Sequence, residues 1–498
     1  MSEMEHGMCI SIEPLTDLSA TILVPHNNNG SDLSSDDFTG SLHQIATSFF
    51  TTWILIVIYS SMIPKNPLSF LSISRSYNEL VSQRDSPLKI LDFLRVLAIV
   101  WVIANHTGSE GRIDILDRAP SAEGFKRAIH DHPVFGALLG NSALGVEIFL
   151  VLSGLLAACS WHRHPSSPFS SHYKKFILRR VVRLAPSVII FIIFASGPVM
   201  NDILPRFHDS MISTCGVKGI ASHLLFMGNL QETPTCMGYL WYLGLDMQLY
   251  LAAPLLLYVL HHRIRLGVVL SILIISLSCL LRALYCTTYG VCNKSDVDIP
   301  FISYPGIDPS TLTSIYEGLW EMYSRPHTKC GPFILGLLLG SLYSYWPNTR
   351  LSPRNTKLMS HGATVFAVGI IYAILPEYWY PDAGNTTYNT VYTATFRTLF
   401  ALCICAIIMS YVFTLSSFSQ HWSWSVLARL TYNVYLLHMP IIFCFNHLPF
   451  LQTATSAFEL MLVIPLVSIC SFIAAFLFFI FFESPVSRLV NYAIPSMA

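Results

Sequence analysis

Of the 498 residues, 53% are hydrophobic and only 12% are charged, and the mean hydropathy is +0.53. A soluble globular chain carries about twice that charged fraction, so the composition excludes one and points to an all-α polytopic membrane protein. The 29 basic and 29 acidic residues cancel, yet the signs are segregated: Met1–Thr47 holds seven acidic residues and no Lys or Arg. Whole-chain charge therefore identifies no partner, and no nucleic-acid partner is expected.

The opening MSEMEHGMCISIEP lacks the basic and apolar regions of a cleavable signal peptide, so the tail either crosses the membrane unaided or follows missing upstream sequence. Residues 1–44 read as an acidic, disordered, extracytoplasmic tail, with NNNGSDLSSDD at its centre. An extra transmembrane helix is expected over 45–63, followed by a cytoplasmic linker over 64–87 that carries Lys65, Arg75 and Arg84. Next comes LDFLRVLAIVWVIANHT, Leu91–Thr107. Its unbroken apolar run, Val96–Ala104, is far short of the roughly 20 residues a bilayer needs, so a spanning helix must carry Arg95 inside it. Eleven helical steps of ~100° bring His106 back to the face of Arg95, about 16 Å along the axis. A fixed cation and a titratable imidazole thus look into one cavity.

Further spans are expected near 134–158, 184–200, 239–260, 266–285, 330–346, 358–375, 393–415, 428–448 and 457–482, about eleven in all and ten after the linker. Loops assigned to the cytoplasm are basic: His172–Arg183, the pair Arg263 and Arg265, and Arg350, Arg354 and Lys357. The glycosylation candidates Asn29, Asn293 and Asn385 all fall on the other side. This alternation places the N-terminus outside and the C-terminus in the cytoplasm, in the plasma membrane or endoplasmic reticulum. Most of the twelve cysteines lie inside spans, and none has zinc spacing. Cys215 with Cys236, and Cys286 with Cys292, sit at outside loops where either disulfides or free thiols are compatible with the sequence. WHRHP, Trp161–Pro165, reads as interfacial rather than as a metal site, and FLFFIFFE as lipid-facing bulk.

Because a charge at mid-bilayer costs about 2.5 kcal/mol or more, the few polar residues within spans carry the information. Beyond Arg95 and His106 these are Glu147, Asp246, Arg282, Arg397 and His438. Glu147 and His106 both lie near the outer ends of neighbouring spans. Antiparallel packing is therefore expected to pair them, the carboxylate fixing the tautomer and raising the basicity of the imidazole. Blander roles compete: an interfacial His106, an interhelical hydrogen bond for His438, and close packing by Ser153 beside Gly154. No Gly-x-Ser-x-Gly elbow is present for a hydrolase nucleophile.

Arg95-x10-His106, preceded by LDFLR, resembles the signature of the acyltransferase 3 family of integral-membrane O-acyltransferases. GVEIFLVLSGLL (Gly145–Leu156) is similar to the family's acidic-Phe-Phe-x-x-Ser-Gly helix, and YKKFILRRVVRLAP (Tyr173–Pro186) to its basic entry. WYLGLDMQLY (Trp241–Tyr250), YSRPHTKCGPFILGLLLG (Tyr323–Gly340), LARLTYNVYLLH (Leu427–His438) and the terminal ESP (Glu483–Pro485) resemble the animal branch of nose-resistant-to-fluoxetine proteins. The resemblance spans 88–492, expected to form the membrane domain. Phe93 stands where the family usually has Gly, and Lys329 where the animal branch often has Arg; the cysteine-rich outside domain common in that branch is not seen here.

The resemblance implies transfer of an acyl group from a cytoplasmic acyl-thioester such as acyl-CoA, a co-substrate rather than a bound cofactor, to a hydroxyl of a lipid, sugar or small molecule. His106 would be the base, Glu147 its orienting group and Arg95 the group at the donor. Ser153, Arg179, Arg180, Arg183, Trp241, Asp246, Arg325, Lys329 and His438 are carried over as donor or substrate contacts. For the three arginines, topology determinants are the competing role. The His-x4-Asp pattern of glycerolipid acyltransferases follows none of the 18 histidines. The rival function is a non-enzymatic transporter of lipids or hydrophobic drugs, which would use the same polar cavity without the base.

Overall fold

The computed structural model describes residues 35–63, 66–82, 88–109, 143–163, 168–213, 215–231, 236–292, 309–347, 349–376, 386–413, 422–446 and 457–493, with short pieces between 132 and 141. The described residues form helices and no strands. In chain order the main ones are α1 (Ser35–Met62), α2 (Ile73–Val81), α3 (Ile90–Ser109), α4 (Leu144–His162), α5 (Phe169–Ala195), α6 (Gly216–Leu224), α7 (Trp241–His262) and α8 (Ile264–Thr288). They continue with α9 (Pro309–Ser324), α10 (Pro326–Tyr345), α11 (Pro353–Tyr372), α12 (Thr386–Val412), α13 (Trp422–Asn446), α14 (Ala457–Phe478) and α15 (Ser484–Ala493).

Seven described helices are long and apolar enough to cross a membrane, those built on α3, α4, α7, α8, α12, α13 and α14. The other four expected segments are also helical. In α1 only Thr47–Met62 is strongly apolar, α5 opens with five basic residues, and α10 and α11 carry Lys329 and the Arg354 and Lys357 pair. α1 begins at Ser35, ten residues before the expected span. The linker is not featureless either: α2 has one strongly apolar face, and Leu80 on it is buried.

Local chemistry sets several ends. Pro326 and Pro353 open α10 and α11, where a missing N–H costs nothing, and the Ser352 hydroxyl accepts from Asn355 N at 3.3 Å as the N-cap of α11.

α4 is the most enclosed of the apolar helices and α8 the least. The packing of α4 on α10 depends on glycine. A Cβ on Gly154 would stand 2.1 Å from the Phe333 carbonyl oxygen, one on Gly336 2.1 Å from that of Val151, and one on Gly340 2.4 Å from that of Leu155. No side chain fits there, so the backbones touch, as in small-xxx-small helix pairs. On the opposite face of α4, Gly145 meets Ala98 of α3. α13 lies against α3 and α14, completing the wall around the site.

Two expectations are resolved here. Cys215 is bonded to Cys236, and Cys286 to Cys292. FLFFIFFE is not lipid-facing bulk: Phe478, Phe479 and Ile480 are buried, and Phe479–Glu483 forms a π turn between α14 and α15.

Candidate active site

A cavity of about 770 Å³ opens between α3, α4, α5, α7 and α13. Arg95, Arg163, Arg180, Arg183 and Arg429 line it, against the carboxylates of Asp92 and Glu483. Arg95 projects from the second turn of α3, with Asp92 Oδ1 3.4 Å from its Nη1, and keeps about a quarter of its side chain exposed (24%). Arg180 forms an ion pair with buried Asp246 of α7, donates to Ser153 Oγ at 3.2 Å, and lies 4.8 Å from the centre of the Tyr250 ring. Ser153 in turn donates to the other oxygen of Asp246. One carboxylate thus ties α4, α5 and α7 together at the cavity wall, where isolated it would be costly to bury.

Arg429 lines the cavity from α13 and donates to the C-terminal carbonyls of α2: Glu79, Leu80 at 2.7 Å, and Ser82. A cation there also complements the negative end of the helix dipole. Glu483, delivered by the π turn, accepts from Asn433 Nδ2 at 2.6 Å.

Tyr242 and Tyr435 line the same cavity, and His438 is one helical turn beyond Tyr435. His438 is fully buried, with Nδ1 2.8 Å from the Tyr435 carbonyl. A carbonyl only accepts, so Nδ1 carries the hydrogen and the neutral ring keeps its lone pair on Nε2. Among the described residues that nitrogen has no hydrogen-bond partner, nor has the buried Nδ1 of His106. The two rings are 5.1 Å apart, centre to centre, and inclined at 55°. Among the described residues no three His, Cys, Asp or Glu side chains are grouped as a metal site would require.

The expected pairing of Glu147 with His106 is not what forms. Glu147, wholly buried, accepts from Lys329 of α10 and, at 2.8 Å, from Arg397 Nη1 of α12. The reason is helical phase. Gly145 faces α3, and two residues on at ~100° each turn Glu147 away from it, onto the Gly154 side that packs on α10. Lys329 Nζ lies 4.3 Å from the Tyr323 ring centre and 5.5 Å from that of Trp241, so Trp241 walls this ion cluster and does not line the cavity.

Two more carried-over residues stand elsewhere. Arg325 precedes α10, pairs with Glu321 at 2.5 Å and donates to the Asn229 carbonyl at 2.8 Å, which makes it a loop clasp. Arg179 is exposed and absent from the cavity wall. Asn29, Asn293 and Asn385 lie outside the described residues.

Sequence reasoning overlooked Arg163, Arg429, Tyr242 and Tyr435. Arg163 lies between the two histidines of WHRHP, and the other three lie in the segments Trp241–Tyr250 and Leu427–His438.

Residues 88–481 match the family described as acyltransferase domain, acyltransferase 3. The chain belongs to that family and is a multi-pass membrane acyltransferase. It is 55% identical over 465 residues to the Regulator of hypoxia-inducible factor 1 of Caenorhabditis elegans, covering 93% of this chain and 92% of that one. It is also similar to Nose resistant to fluoxetine protein 6 of the same organism, at 25% identity over 82% of this chain and 51% of the relative. A third relative is the Putative peptidoglycan O-acetyltransferase YrhL of Bacillus subtilis (strain 168), at 26% identity over 60% and 44%. The chain thus spans about half the length of these last two. No solved structure matches it.

Proposed function

We propose that this acyltransferase takes an acyl group from a cytoplasmic acyl-thioester, acyl-CoA in the first instance, and passes it to a hydroxyl of a lipid, sugar or small molecule. The observation that carries the reading is the cavity in which five arginines meet two carboxylates, one of those arginines, Arg95, standing on the same helix as His106. Guanidinium groups match phosphate oxygens in geometry as well as charge, and a nucleotide diphosphate would meet Arg163, Arg180, Arg183 and Arg429 there. Arg95 lies among them, about 16 Å along α3 from His106. An extended thiol arm would bridge that interval past Tyr242 and Tyr435.

At the far end His106 takes the proton of the acceptor hydroxyl, and the oxygen attacks the thioester carbonyl carbon. The C–S bond breaks, and the departing thiolate recovers the proton. Arg95 holds the donor and steadies negative charge on it. The name of the Bacillus relative supports a hydroxyl acceptor. The topology proposed with this reading has the tail outside and the 64–87 linker and C-terminus in the cytoplasm, so donor and acceptor arrive from opposite sides.

The test supplies membranes holding the chain with labelled acyl-CoA and candidate alcohols, and measures thiol release. Loss of transfer in His106→Ala and Arg95→Ala is expected; transfer unchanged by either removes the mechanism. Glycosidase sensitivity at Asn29 and Asn293 is expected, and a cytoplasmic Asn293 would overturn the topology.

A further inference from the structure

A base that gains a proton in a closed site needs something to receive the new charge. The carboxylate on α4 does not do so for His106, because Glu147 is engaged by Lys329 and Arg397. What stands beside His106 is a second imidazole, His438. We infer that His438 is the positioning residue of the base: its Nε2 accepts the N–H of His106 once that ring has taken the acceptor's proton, so that one proton is held between two imidazoles. This rests on the proposed role of His106.

Three observations carry it. First, the tautomer of His438 is set by Nδ1–H donating to the Tyr435 carbonyl, so its other nitrogen, Nε2, is an acceptor. Second, no described residue competes for that acceptor. The two phenols against the His438 ring are Tyr239, at 5.6 Å between centres, and Tyr435, at 5.9 Å. Tyr239 donates its hydroxyl to the Leu436 carbonyl at 3.1 Å, and Tyr435 donates to the carbonyl of Tyr239. A buried polar nitrogen without a partner costs about 1–3 kcal/mol, and among the described residues both His438 Nε2 and His106 Nδ1 stand so. Third, the distance fits. Ring nitrogens lie ~1.1 Å from an imidazole centre, so rings 5.1 Å apart bring two nitrogens to ~2.9 Å after side-chain rotation alone, an ordinary N–H···N separation.

The proton balance closes without a further reactant. The acceptor hydroxyl gives its proton to His106, which shares it with His438. The new C–O bond forms as the C–S bond breaks, the thiolate takes the proton, and both rings return neutral.

The test has two arms on the full chain in lipid bilayers. Solid-state NMR of [15N]histidine-labelled protein at neutral pH, assigned with His106→Gln and His438→Gln, is expected to show His438 protonated on Nδ1 and bare on Nε2. A proton on Nε2 of His438 overturns the inference. In the second arm acetyl-CoA is the donor probe and thiol release is followed. His438→Phe is expected to lower kcat about a hundredfold with KM for acetyl-CoA unchanged, and His438→Gln, whose amide oxygen still accepts, to recover most of it. A normal kcat in His438→Phe, or a loss that appears in KM, also overturns it. If His106→Ala keeps its turnover, the base assignment itself falls. If His106→Ala is inactive while His438→Phe is not, only the shared proton is lost. A chain that turns over no acetyl-CoA is judged by the nitrogen shifts.

Discussion

Replacing Glu147 with Gln separates two roles a buried carboxylate can have. In the structure Glu147 compensates two cations, Lys329 and Arg397, and all three side chains are buried. The amide keeps the volume and removes the charge that both cations share at Glu147. Breaking a buried ion cluster by removing one partner costs about 3–5 kcal/mol. For a chain of 498 residues that corresponds to a fall in unfolding temperature of roughly 3–5 °C. Part of the loss is expected to return in Glu147→Gln with Lys329→Met, which removes one of the two cations. The assay is the temperature at which detergent-solubilised protein leaves its folded peak in size-exclusion chromatography, set beside thiol release per folded molecule. Turnover per folded molecule should fall far less than the hundredfold expected at the imidazoles. A Glu147→Gln protein of unchanged thermal stability and collapsed kcat would refute the reasoning, and would return the carboxylate to the base.

Other expectations test other parts of the molecule. Gly154→Ala and Gly336→Ala each force a Cβ to 2.1 Å from a backbone oxygen, so both should cost upwards of about 2 kcal/mol and lower the folded yield, whereas Gly362→Ala, with open space around it, should not. Opening the Cys215–Cys236 bridge, which closes a loop of 21 residues, should cost about 3 kcal/mol in thermal unfolding, seen with Cys215→Ser. His223, on the short α6 outside the spans, is held below its ordinary pKa of 6.5 by burial, against a smaller opposing effect of its bond to the Cys236 carbonyl at 2.7 Å. The unfolded loop therefore binds a proton that the folded one refuses, so stability is full above pH 6.5 and falls as the pH drops below it; His223→Gln should flatten that slope in chemical unfolding. Arg429→Ala removes the donors that hold the C-terminus of α2, and limited proteolysis should then cut near Ser82 faster than in the parent chain.

Hydropathy located the seven long apolar helices among the described residues, because lipid demands continuous apolar length and few charges, but it missed α9 and left the basic first half of α5, His172–Arg183, as a loop. It also made Arg95 stand out, since that residue interrupts a run too short to span. The rotational phase of each helix was harder to see. α4 is apolar nearly all round, so nothing in its pattern showed that Glu147 faces α10 rather than α3; the glycines at 145 and 154, on opposite faces, held that information. Arg325 and Arg179 show the converse. Both belong to recognisable motifs, yet one serves a loop and the other is exposed, because a motif records a chain segment and not the direction of each side chain. Arg163 and Arg429 reach the cavity from elements far apart in sequence, a convergence only tertiary packing creates.

The π turn at Phe479–Glu483 makes the end of this chain a counting device. Such a turn holds one more residue than an α-helix needs and absorbs it locally, so the helices on either side stay in phase, whereas one further residue inserted ahead of it would find no such slack and would rotate everything after it by ~100°. Glu483 would leave Asn433, Ser484 would leave Glu79, and Arg488 would leave Ser76 together. Length, more than residue identity, keeps the C-terminal helix in step with the cavity wall and with the segment that precedes the first core helix.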